Sequence, residues 1–420
     1  MKPFPANPED FNDEIVEKYR KYVNPGLAQL MKFGGYGSVE WTGDGVYITD
    51  TKGEKYLDAL AGYGVFSLGH RHPRILEAVK RQMDQMPLST RQFFTAPMAE
   101  LAEELAAIAP GDLQYSFFCH SGTEAVEGAL KCARISSGKS DIIFTTNAFH
   151  GKTMGSLSAG GRDVYRTRVE PLVPGFHKVQ WGDLEPLVST MNDHTAAVII
   201  EAVQGEGGIN PAPAGYMEGV RKACDEHGVL MIVDEVQTGF GRTGKMFAIE
   251  HAGVAPDIMC MAKALGGGIT STAAFMGTPA VWDGFFKENP TIHTTSIVNL
   301  AAMAAGLETL KVIKEDGLVA NAQAMGKRCL DGMKGVMAEF PDLVTEVRGL
   351  GLMVGVQFAE KDFGLLTIAG LANRHIIAGY TLANPNVIRV EPPLIINAEQ
   401  IDHLVESFRG ALVDCRQMFG

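Results

Sequence analysis

A chain of 420 residues is long enough for two domains, or for one large domain with a smaller one appended. Hydrophobic residues make up 46% of the chain and charged residues 20%, which are ordinary proportions for a globular protein. The net charge of −12 argues against nucleic acid and against anionic membrane surfaces as partners, because both attract a basic protein face.

The cysteines and the N-terminal segment indicate a reducing compartment. The six cysteines lie far apart without a CxxC pair, so we expect reduced core thiols rather than disulfides, and no metal site. The N-terminal segment is polar and acidic and lacks the apolar stretch of a signal peptide. No apolar run reaches the ~18 residues that a membrane span needs. We therefore predict a cytoplasmic protein without a membrane span.

The first quarter of the chain predicts a helical arm, a small sheet and two helices. Residues 9–23 have a helical pattern that Asn24-Pro25-Gly26 ends. Between Pro73 and Ala109 apolar residues recur at spacings of three and four, which predicts helices. Between the arm and these helices lie three strand-like segments, separated by glycine-containing turns: SVEWT, VYITD and EKYLDAL. They predict a small antiparallel meander.

From about residue 115 the pattern alternates between strand, loop and helix. Alternation of this kind predicts right-handed crossovers and a mostly parallel sheet with helices on both faces. The final part of the chain begins with a long helical stretch and continues into two strand-like regions, which predicts a smaller α+β unit. The predicted strands of the main sheet lie at 115–119, 141–146, 197–203, 230–236, 257–262 and 273–278.

The strongest candidate site lies between Leu230 and Gly268. One apolar run ends on Asp234 and Glu235, and a second run leads into Lys263 and a three-glycine loop. Open α/β sheets bind their ligands at the carboxyl ends of such strands. A lysine amine can hold the aldehyde cofactor pyridoxal 5′-phosphate (PLP), whose ring nitrogen needs an acidic partner. Asp234 and Lys263 fit these two roles. The alternative is that Asp234 caps a loop at the end of its strand and that Lys263 lies on the surface, because neither residue is unusual at such a position.

Two further strand ends suit a phosphorylated heterocycle. Ser121-Gly122-Thr123 stands where a strand turns into a helix, so free backbone N–H groups and two hydroxyls can meet a phosphate. Simple helix capping is the alternative. Phe149 and His150 follow the next strand, where an aromatic ring can stack on a flat heterocycle or pack in the core.

Candidate substrate contacts lie in three other segments. The glycine-rich loop 61–73 carries Tyr63 and Phe66, and such loops line pockets about as often as they pack against helices. Glu206 follows another strand, near Glu201 and Gln204. Arg389 is a lone arginine in an apolar strand, so it needs a carboxylate partner, which is either a substrate or Glu206.

Two nucleotide-binding patterns are excluded by their context. The segment GFGRTG at 239–244 matches GxGxxG, but polar residues precede it and no acid stands about 20 residues further on. GKS at 138–140 and GKT at 151–153 lack the upstream glycine of a P-loop. We predict no nucleotide site in either place.

Taken together, these motifs resemble the class III (ω-) aminotransferases of PLP fold type I, over nearly the whole chain. The resemblance implies a large domain at 76–305 with a mostly parallel seven-stranded sheet. It also implies a smaller α+β domain built from both termini, with residues 1–75 as an arm and part of that domain and 306–420 as the rest. The motifs that carry it are SGTEAVEGALK, AFHGKT, EAVQGEGG, IVDEVQTGFGRTGKMFAIEH, PDIMCMAKALGGG and IRVEPPL.

The resemblance also implies roles for residues that match the family's motifs. Lys263 would hold PLP and then move the reacting proton, and Asp234 would hold the ring nitrogen. Gln237 would bind the ring hydroxyl. Glu206 and Arg389 would act as a switch that hides the arginine from an amine and frees it for 2-oxoglutarate. The remaining cofactor contacts would come from Ser121, Gly122, Thr123, Phe149 and His150, and from Thr295, which would reach the phosphate of the neighbouring subunit in a homodimer or tetramer.

The sequence departs from the family's pattern at three places. Ile297 and Val298 replace two glycines beside Thr295, so the backbone of that loop must differ. The segment GGGITSTAAFMG lacks the usual proline. Tyr63 stands where diamine enzymes tend to have phenylalanine, whereas ornithine enzymes carry a tyrosine that holds the substrate's α-carboxylate.

The preferred hypothesis is transfer of the terminal amine of a diamine, putrescine or cadaverine, to 2-oxoglutarate, because several segments look most like the diamine (putrescine) aminotransferases. An ornithine, lysine, acetylornithine or 4-aminobutyrate enzyme is the nearest alternative, with Tyr63 and Arg389 meeting carboxylates. An aminomutase or epimerase is a further alternative, and a cofactor-free scaffold is the non-enzymatic one. The intact Lys263 and Asp234 disfavour the last.

Overall fold

The computed structural model describes residues 3–287 and 298–419. No helix within those ranges is both long and apolar enough to cross a membrane. Its helices are α1 Pro8–Lys18, α2 Pro25–Phe33, α3 Ala61–Gly64, α4 Pro73–Gln85, α5 Ala96–Ile108, α6 Gly122–Ser137, α7 Met154–Ser158, α8 Asp163–Arg166, α9 Leu184–Thr190, α10 Tyr216–His227, α11 Pro279–Phe286, α12 Leu300–Glu315, α13 Leu318–Glu339, α14 Lys361–Ala372 and α15 Ala398–Phe419. Its strands are β1 Glu40–Asp44, β2 Tyr47–Asp50, β3 Lys55–Asp58, β4 Tyr115–Cys119, β5 Asp141–Thr145, β6 Phe176–Val179, β7 Thr195–Ile200, β8 Val203–Gln204, β9 Asn210–Pro211, β10 Leu230–Asp234, β11 Ile258–Met261, β12 Ala273–Gly277, β13 Val344–Leu350, β14 Met353–Phe358, β15 Ile376–Ile377, β16 Gly379–Tyr380 and β17 Val387–Val390.

A seven-stranded sheet forms the centre of the molecule, in the order β4-β12-β11-β10-β7-β5-β6. Only β12 runs antiparallel to its neighbours, so the predicted mostly parallel sheet is confirmed. Six of its strands were predicted from their apolar runs. The seventh, β6, was missed because His177 and Lys178 stand in the middle of its four residues.

The central strands are mostly apolar because helices cover both faces of the sheet. All residues of β7 and β11 are buried, as expected for strands inside a parallel sheet. Successive side chains point to opposite faces. In β10, for example, Ile232 packs in the core that α6 shares, whereas Met231 and Val233 pack in the larger core on the other side.

Two smaller four-stranded sheets accompany the main sheet, and one of them combines residues from both ends of the chain. The predicted meander is present as β1-β2-β3, and β15 from the C-terminal part adds to it in parallel with β3. The other sheet has the order β13-β14-β17-β16. The N-terminal arm was predicted to end at Asn24-Pro25-Gly26. A helix that the sequence did not predict, α2, begins there, and the side chain of Asn24 caps it by accepting from the N–H groups of Gly26 and Leu27.

The parallel pairing of the main sheet determines where the site lies. Strands β5, β7, β10 and β11 run in the same direction, so the segments that follow them emerge at one edge. That edge carries Phe149, Glu201, Asp234 and Lys263. The turn from β4 into α6 lies at the same edge, because β4 is antiparallel to β12, which is itself antiparallel to β11.

A pair of glycines in α13 tests how closely this helix packs. A Cβ on Gly326 would lie 2.1 Å from the backbone of Gly351, whereas a Cβ on Gly335 would meet nothing within 4 Å. We expect Gly326→Ala to lower the free energy of unfolding by about 1–3 kcal/mol through overpacking. Gly335→Ala should raise it by about 0.5–1 kcal/mol, because alanine favours a helix. Thermal and denaturant unfolding would measure both, and equal effects of the two variants would contradict the packing described.

Candidate active site

A cavity of about 380 Å³ opens at the carboxyl edge of the main sheet. Segments that are far apart in the sequence line it, because the parallel strands end there together. Most of the predicted cofactor residues lie in its wall: Ser121, Gly122, Thr123, Phe149, His150, Asp234, Gln237 and Lys263.

Lys263 is the second residue after β11 and has an unusual backbone conformation. Its φ of +45° lies in the left-handed region, which residues other than glycine rarely occupy and which is often found at functional sites. Burial lowers the pKa of its amine, an effect that the charges of Glu206 and Glu391 only partly offset. The amine is therefore easier to deprotonate than that of an exposed lysine.

Asp234 is held at the bottom of the cavity by two hydrogen bonds. Its Oδ1 accepts from the backbone N–H of Val236 at 2.9 Å, and its Oδ2 accepts from Nδ1 of His150 at 2.7 Å. Burial acts to lower the pKa of His150, but the hydrogen bond and charge of Asp234, together with Glu201, raise it overall. Nε2 of His150 is buried and has no hydrogen-bond partner among the described residues.

The two carboxylates that flank Asp234 have structural partners. Glu201 accepts from the N–H groups of Phe149 and Gly205, at 3.3 and 3.2 Å, so it fixes the segment that carries Phe149. Glu235 points away from the cavity and accepts from Ala248 and Ile249 at 3.0 and 2.8 Å, as well as from the Thr238 hydroxyl. Burial raises the pKa of both glutamates to about 7.

The N-terminus of α6 forms a cradle for an anion. Ser121 caps the helix, and the side chain of Glu124 accepts from the N–H groups of His120 and Ser121. Within the described ranges, the N–H groups of Gly122 and Thr123 form no hydrogen bond, and both residues line the cavity. Free N–H groups at a helix N-terminus favour phosphate.

The hydroxyl of Thr123 belongs to a network beside the cradle. Its Oγ1 lies 2.8 Å from that of Thr153 and 2.7 Å from Oγ of Ser156. Thr153 in turn donates to Glu127 at 2.5 Å. A Cβ on Gly151 would lie 2.3 Å from Oγ1 of Thr123, so glycine is required at this close approach.

Sequence reasoning missed two hydroxyls of the cavity wall. Thr270 and Thr272 line the cavity, and their Oγ1 atoms are buried without a partner in the part of the chain that is described. The signal was present in the segment ITSTA, where hydroxyl side chains follow Ile269 in place of the expected proline.

Arg389 lies completely buried between two carboxylates. Its Nη2 donates to Oε2 of Glu206 at 2.5 Å, and its Nη1 lies 3.5 Å from Oε2 of Glu391. The ring of Tyr63 covers the guanidinium at 5.0 Å. The structure thus brings the predicted residues Glu206, Arg389 and Tyr63 together.

Glu391 is the residue of this cluster that the sequence did not reveal. It also accepts two hydrogen bonds from Nε2 of Gln237, at 3.1 and 3.0 Å, and it is fully buried. The signal was the segment IRVEPPL, in which an acid stands two positions after the lone arginine.

Five predicted site residues lie outside the cavity wall or outside the described ranges, because Tyr63, Glu206 and Arg389 form the cluster described above and do not line the cavity. Phe66 does not line the cavity, and its ring packs against His70 with 4.3 Å between ring centroids. Thr295 belongs to the residues that are not described. The GFGRTG segment has a structural role, because Arg242 donates to the backbone carbonyls of Leu352 and Pro392 and to Ser67.

The cavity fits a phosphorylated aromatic aldehyde. It offers an anion cradle at α6, the half-buried ring of Phe149, the carboxylate of Asp234 and the buried amine of Lys263. His150, Thr270 and Thr272 line the same cavity, and each has a buried polar atom without a hydrogen-bond partner among the described residues.

Comparison with known proteins agrees with this geometry. The sequence pattern of the family Aminotransferase class-III matches residues 39–412. A transaminase from the marine bacterium Virgibacillus is 30% identical, with 91% of this chain and 94% of that chain covered and a TM-score of 0.86. The ornithine aminotransferase of Toxoplasma gondii is 28% identical, with 97% and 96% covered and a TM-score of 0.90. The ω-transaminase of Pseudomonas jessenii in complex with PMP is 27% identical, with 96% and 98% covered and a TM-score of 0.89.

The chain therefore belongs to the class-III aminotransferase family, because the match spans well over half of its length. Enzymes of this family depend on PLP, and the cavity at the sheet edge has the donors and the lysine that this cofactor requires.

The neighbouring carboxylates Asp234 and Glu235 allow a matched test of the site. We expect Asp234→Asn to slow transamination by about a hundredfold or more, because a neutral amide does not favour the protonated ring nitrogen. Glu235→Gln should keep its activity within severalfold but lower the free energy of unfolding by about 1–3 kcal/mol, since one of its buried donors loses an acceptor. Single-turnover rates and thermal unfolding would measure both effects. If Glu235→Gln slowed transamination more than Asp234→Asn does, the roles assigned to the two carboxylates would be reversed.

The lowered pKa of Lys263 predicts how cofactor uptake depends on pH. Only an unprotonated amine attacks an aldehyde, so the rate at which cofactor-free protein takes up PLP should rise with pH. Its midpoint should lie below the ordinary lysine value of about 10.4. Visible absorption of the lysine-bound cofactor follows the reaction, and Lys263→Ala should give no such band. A midpoint at or above the ordinary value would contradict the burial of this amine.

Proposed function

We propose that this class-III aminotransferase moves the terminal amino group of a diamine, putrescine or cadaverine, to 2-oxoglutarate. The products are an amino aldehyde and glutamate. Putrescine would give 4-aminobutanal, which closes on itself to 1-pyrroline. The observation that carries this proposal is the state of Arg389, which is buried and paired with carboxylates rather than open to a substrate.

The pairing of Arg389 suits a donor without a carboxylate. With Glu206 at 2.5 Å, the guanidinium has its countercharge inside the protein, so a donor is not required to supply one. Glu206 is also anchored by the N–H group of Leu382, at 2.8 Å. When 2-oxoglutarate binds, one of its carboxylates would replace Glu206 at the guanidinium, and the same cavity would then accept an anion.

The described residues supply the groups that the reaction needs. PLP, when bound, supplies an electron sink that acidifies the carbon bearing the substrate amine. Nζ of Lys263, whose pKa burial lowers, would hold the cofactor and take the proton from that carbon. Asp234, fixed by Val236 and His150, would hold the ring nitrogen. The N–H groups of Gly122 and Thr123 would hold the phosphate.

We further propose that the enzyme acts as a homodimer with shared active sites. Leu88, Phe93 and Phe94 are exposed near one another in the chain, and a subunit interface would cover such apolar side chains. Leu88 is bridged to Asn299, which follows Thr295 by four positions in the chain.

An ω-amino acid donor such as ornithine is the second candidate. Tyr63 has its ring over Arg389, and its hydroxyl could bind the carboxylate of an amino acid. The structural similarity to the ornithine aminotransferase of Toxoplasma gondii is compatible with such a donor. Lysine, acetylornithine and 4-aminobutyrate belong to the same carboxylate-bearing class.

Half-reactions with single donors test the proposal. The purified holoenzyme would be mixed with putrescine, cadaverine, ornithine, lysine, acetylornithine or 4-aminobutyrate while its visible absorption is recorded. We expect the band of the lysine-bound cofactor to bleach with the diamines and to return when 2-oxoglutarate is added. Bleaching with the amino acids alone would reject the diamine donor. Turnover that needs no 2-oxo acid would indicate an aminomutase or epimerase instead.

A further inference from the structure

The loop that carries Glu206 spans residues 205–209, between the paired strands β8 and β9. Glu206 is its second residue. The backbone carbonyl of Glu206 accepts from the N–H of Ala383 at 2.8 Å, and its Oε2 accepts from the N–H of Leu382 at 2.8 Å. The main chain of Glu206 is therefore fixed together with the carboxylate that pairs with Arg389.

The last residue of this loop has a backbone conformation that its side chain disfavours. Ile209 has a φ of +52°, in the left-handed region, where a β-branched residue is a clear outlier. Its side chain is fully buried and packs in a small apolar cluster with Val203 and Met353. The strand behind the loop also packs closely, because a Cβ on Gly355 would lie 2.9 Å from that of Ile209. A strained residue of this kind persists only where its surroundings hold it.

Arg348 of β13 holds the strained end of the loop. Its Nε donates to the carbonyls of Gly208 and Ile209 at 3.1 Å each, and its Nη2 donates to the carbonyl of Gly208 at 2.6 Å. The third nitrogen, Nη1, donates to Glu346 at 2.7 Å and to Gln357 at 2.8 Å, so the guanidinium is itself fixed. Hydrogen bonds from a charged donor are stronger than neutral ones, and the planar fork of arginine suits two neighbouring carbonyls.

The contacts of Arg348 reach the active site through the loop backbone. Arg348 is not among the described residues that line the cavity. The carbonyls that it holds belong to the residues two and three positions after Glu206. Any effect of Arg348 on the pair of Glu206 and Arg389 therefore depends on the position of this loop.

We propose that Arg348 is a positioning residue for Glu206. By holding the end of the loop it keeps the backbone in the strained conformation that places Glu206 beside Arg389. When a carboxylate ligand arrives, Glu206 leaves Arg389 by turning its side chain on a fixed backbone. This inference rests on the proposed function, because it concerns the replacement of Glu206 by a carboxylate of the 2-oxo acid.

Position and charge predict opposite effects of losing Arg348. Glu206 competes with the 2-oxo acid for Arg389, and a ligand's apparent affinity is reduced by the fraction of molecules that can receive it. A relaxed loop would keep Glu206 on Arg389 for a smaller part of the time, so a dicarboxylate should bind more tightly. Loss of the positive charge by itself would weaken the binding of an anion.

Amide hydrogen exchange of the PLP-loaded enzyme tests the hold on the loop. In Arg348→Gln, we expect peptides that cover residues 203–211 to exchange about tenfold faster or more, because the loop opens more readily. Arg348→Lys keeps the charge, but a single ammonium cannot replace the fork at both carbonyls, so the same increase is expected. Arg328→Gln is the matched control, because Arg328 pairs with Asp402 at 2.6 Å on the surface and its loss should leave this exchange unchanged.

Binding of glutarate, a dicarboxylate without a reacting carbonyl, tests the effect on Arg389. Calorimetric titration of the holoenzyme should give a dissociation constant that falls severalfold in Arg348→Gln and in Arg348→Lys, and that stays the same in Arg328→Gln. The half-saturating concentration of putrescine should fall in none of these variants, because this donor has no carboxylate to place at Arg389. Visible absorption of the bound cofactor confirms that each variant is loaded.

The outcomes separate this inference from the proposed function. Unchanged loop exchange in Arg348→Gln, or weaker glutarate binding, would overturn the role of Arg348. Effects in Arg348→Gln that are absent in Arg348→Lys would overturn it as well, because charge and not position would then be responsible. If the unaltered enzyme does not accept putrescine, the diamine proposal fails by itself, since neither exchange nor glutarate binding needs an amine donor. If glutarate binds to no form of the enzyme, the proposed acceptor fails, and hydrogen exchange then decides on Arg348.

Discussion

The parallel pairing of β5, β7, β10 and β11 is the constraint on which the rest of the structure depends. Strands buried on both faces are apolar except near their ends, so the polar chemistry is concentrated where the strands end. Because these strands point the same way, Phe149, Glu201, Asp234 and Lys263 emerge at one edge. The site is thus a consequence of strand direction, although Phe149 and Lys263 are more than a hundred positions apart in the chain.

Bringing so many ionisable groups to one buried edge has a free-energy cost that pairing must offset. Asp234 is paired with His150, and Arg389 with Glu206, at 2.7 and 2.5 Å. Glu201 and Glu235 receive backbone N–H groups, yet burial still raises the pKa of each to about 7. Within the described ranges, Lys263 forms no ion pair with a carboxylate, and burial lowers the pKa of its amine. That imbalance is useful in an aminotransferase, because the free amine is the reactive form.

How far the sequence predicts this structure depends on the range of each interaction. Continuous apolar runs identified six strands of the main sheet, and the acid or lysine after a run identified Asp234 and Lys263. Edge strand β6 was missed because its pattern is polar. Thr270 and Thr272 were missed because their place in the cavity wall depends on the fold around them. Phe66 and Tyr63 share one glycine-rich loop, but only Tyr63 reaches Arg389. No local pattern distinguishes these two rings.

The identity of the donor is the property that individual residues predict least well, and the reason is electrostatic. Tyr63 alone would suggest a carboxylate-bearing donor, since it lies over an arginine. That arginine, however, is flanked by two carboxylates, and the second belongs to a strand end held by Arg242 and by Ala59. A hydroxyl beside a neutralised guanidinium attracts a carboxylate only weakly. An inference about the donor therefore has to start from the partners of Arg389, and not from the single residue at position 63.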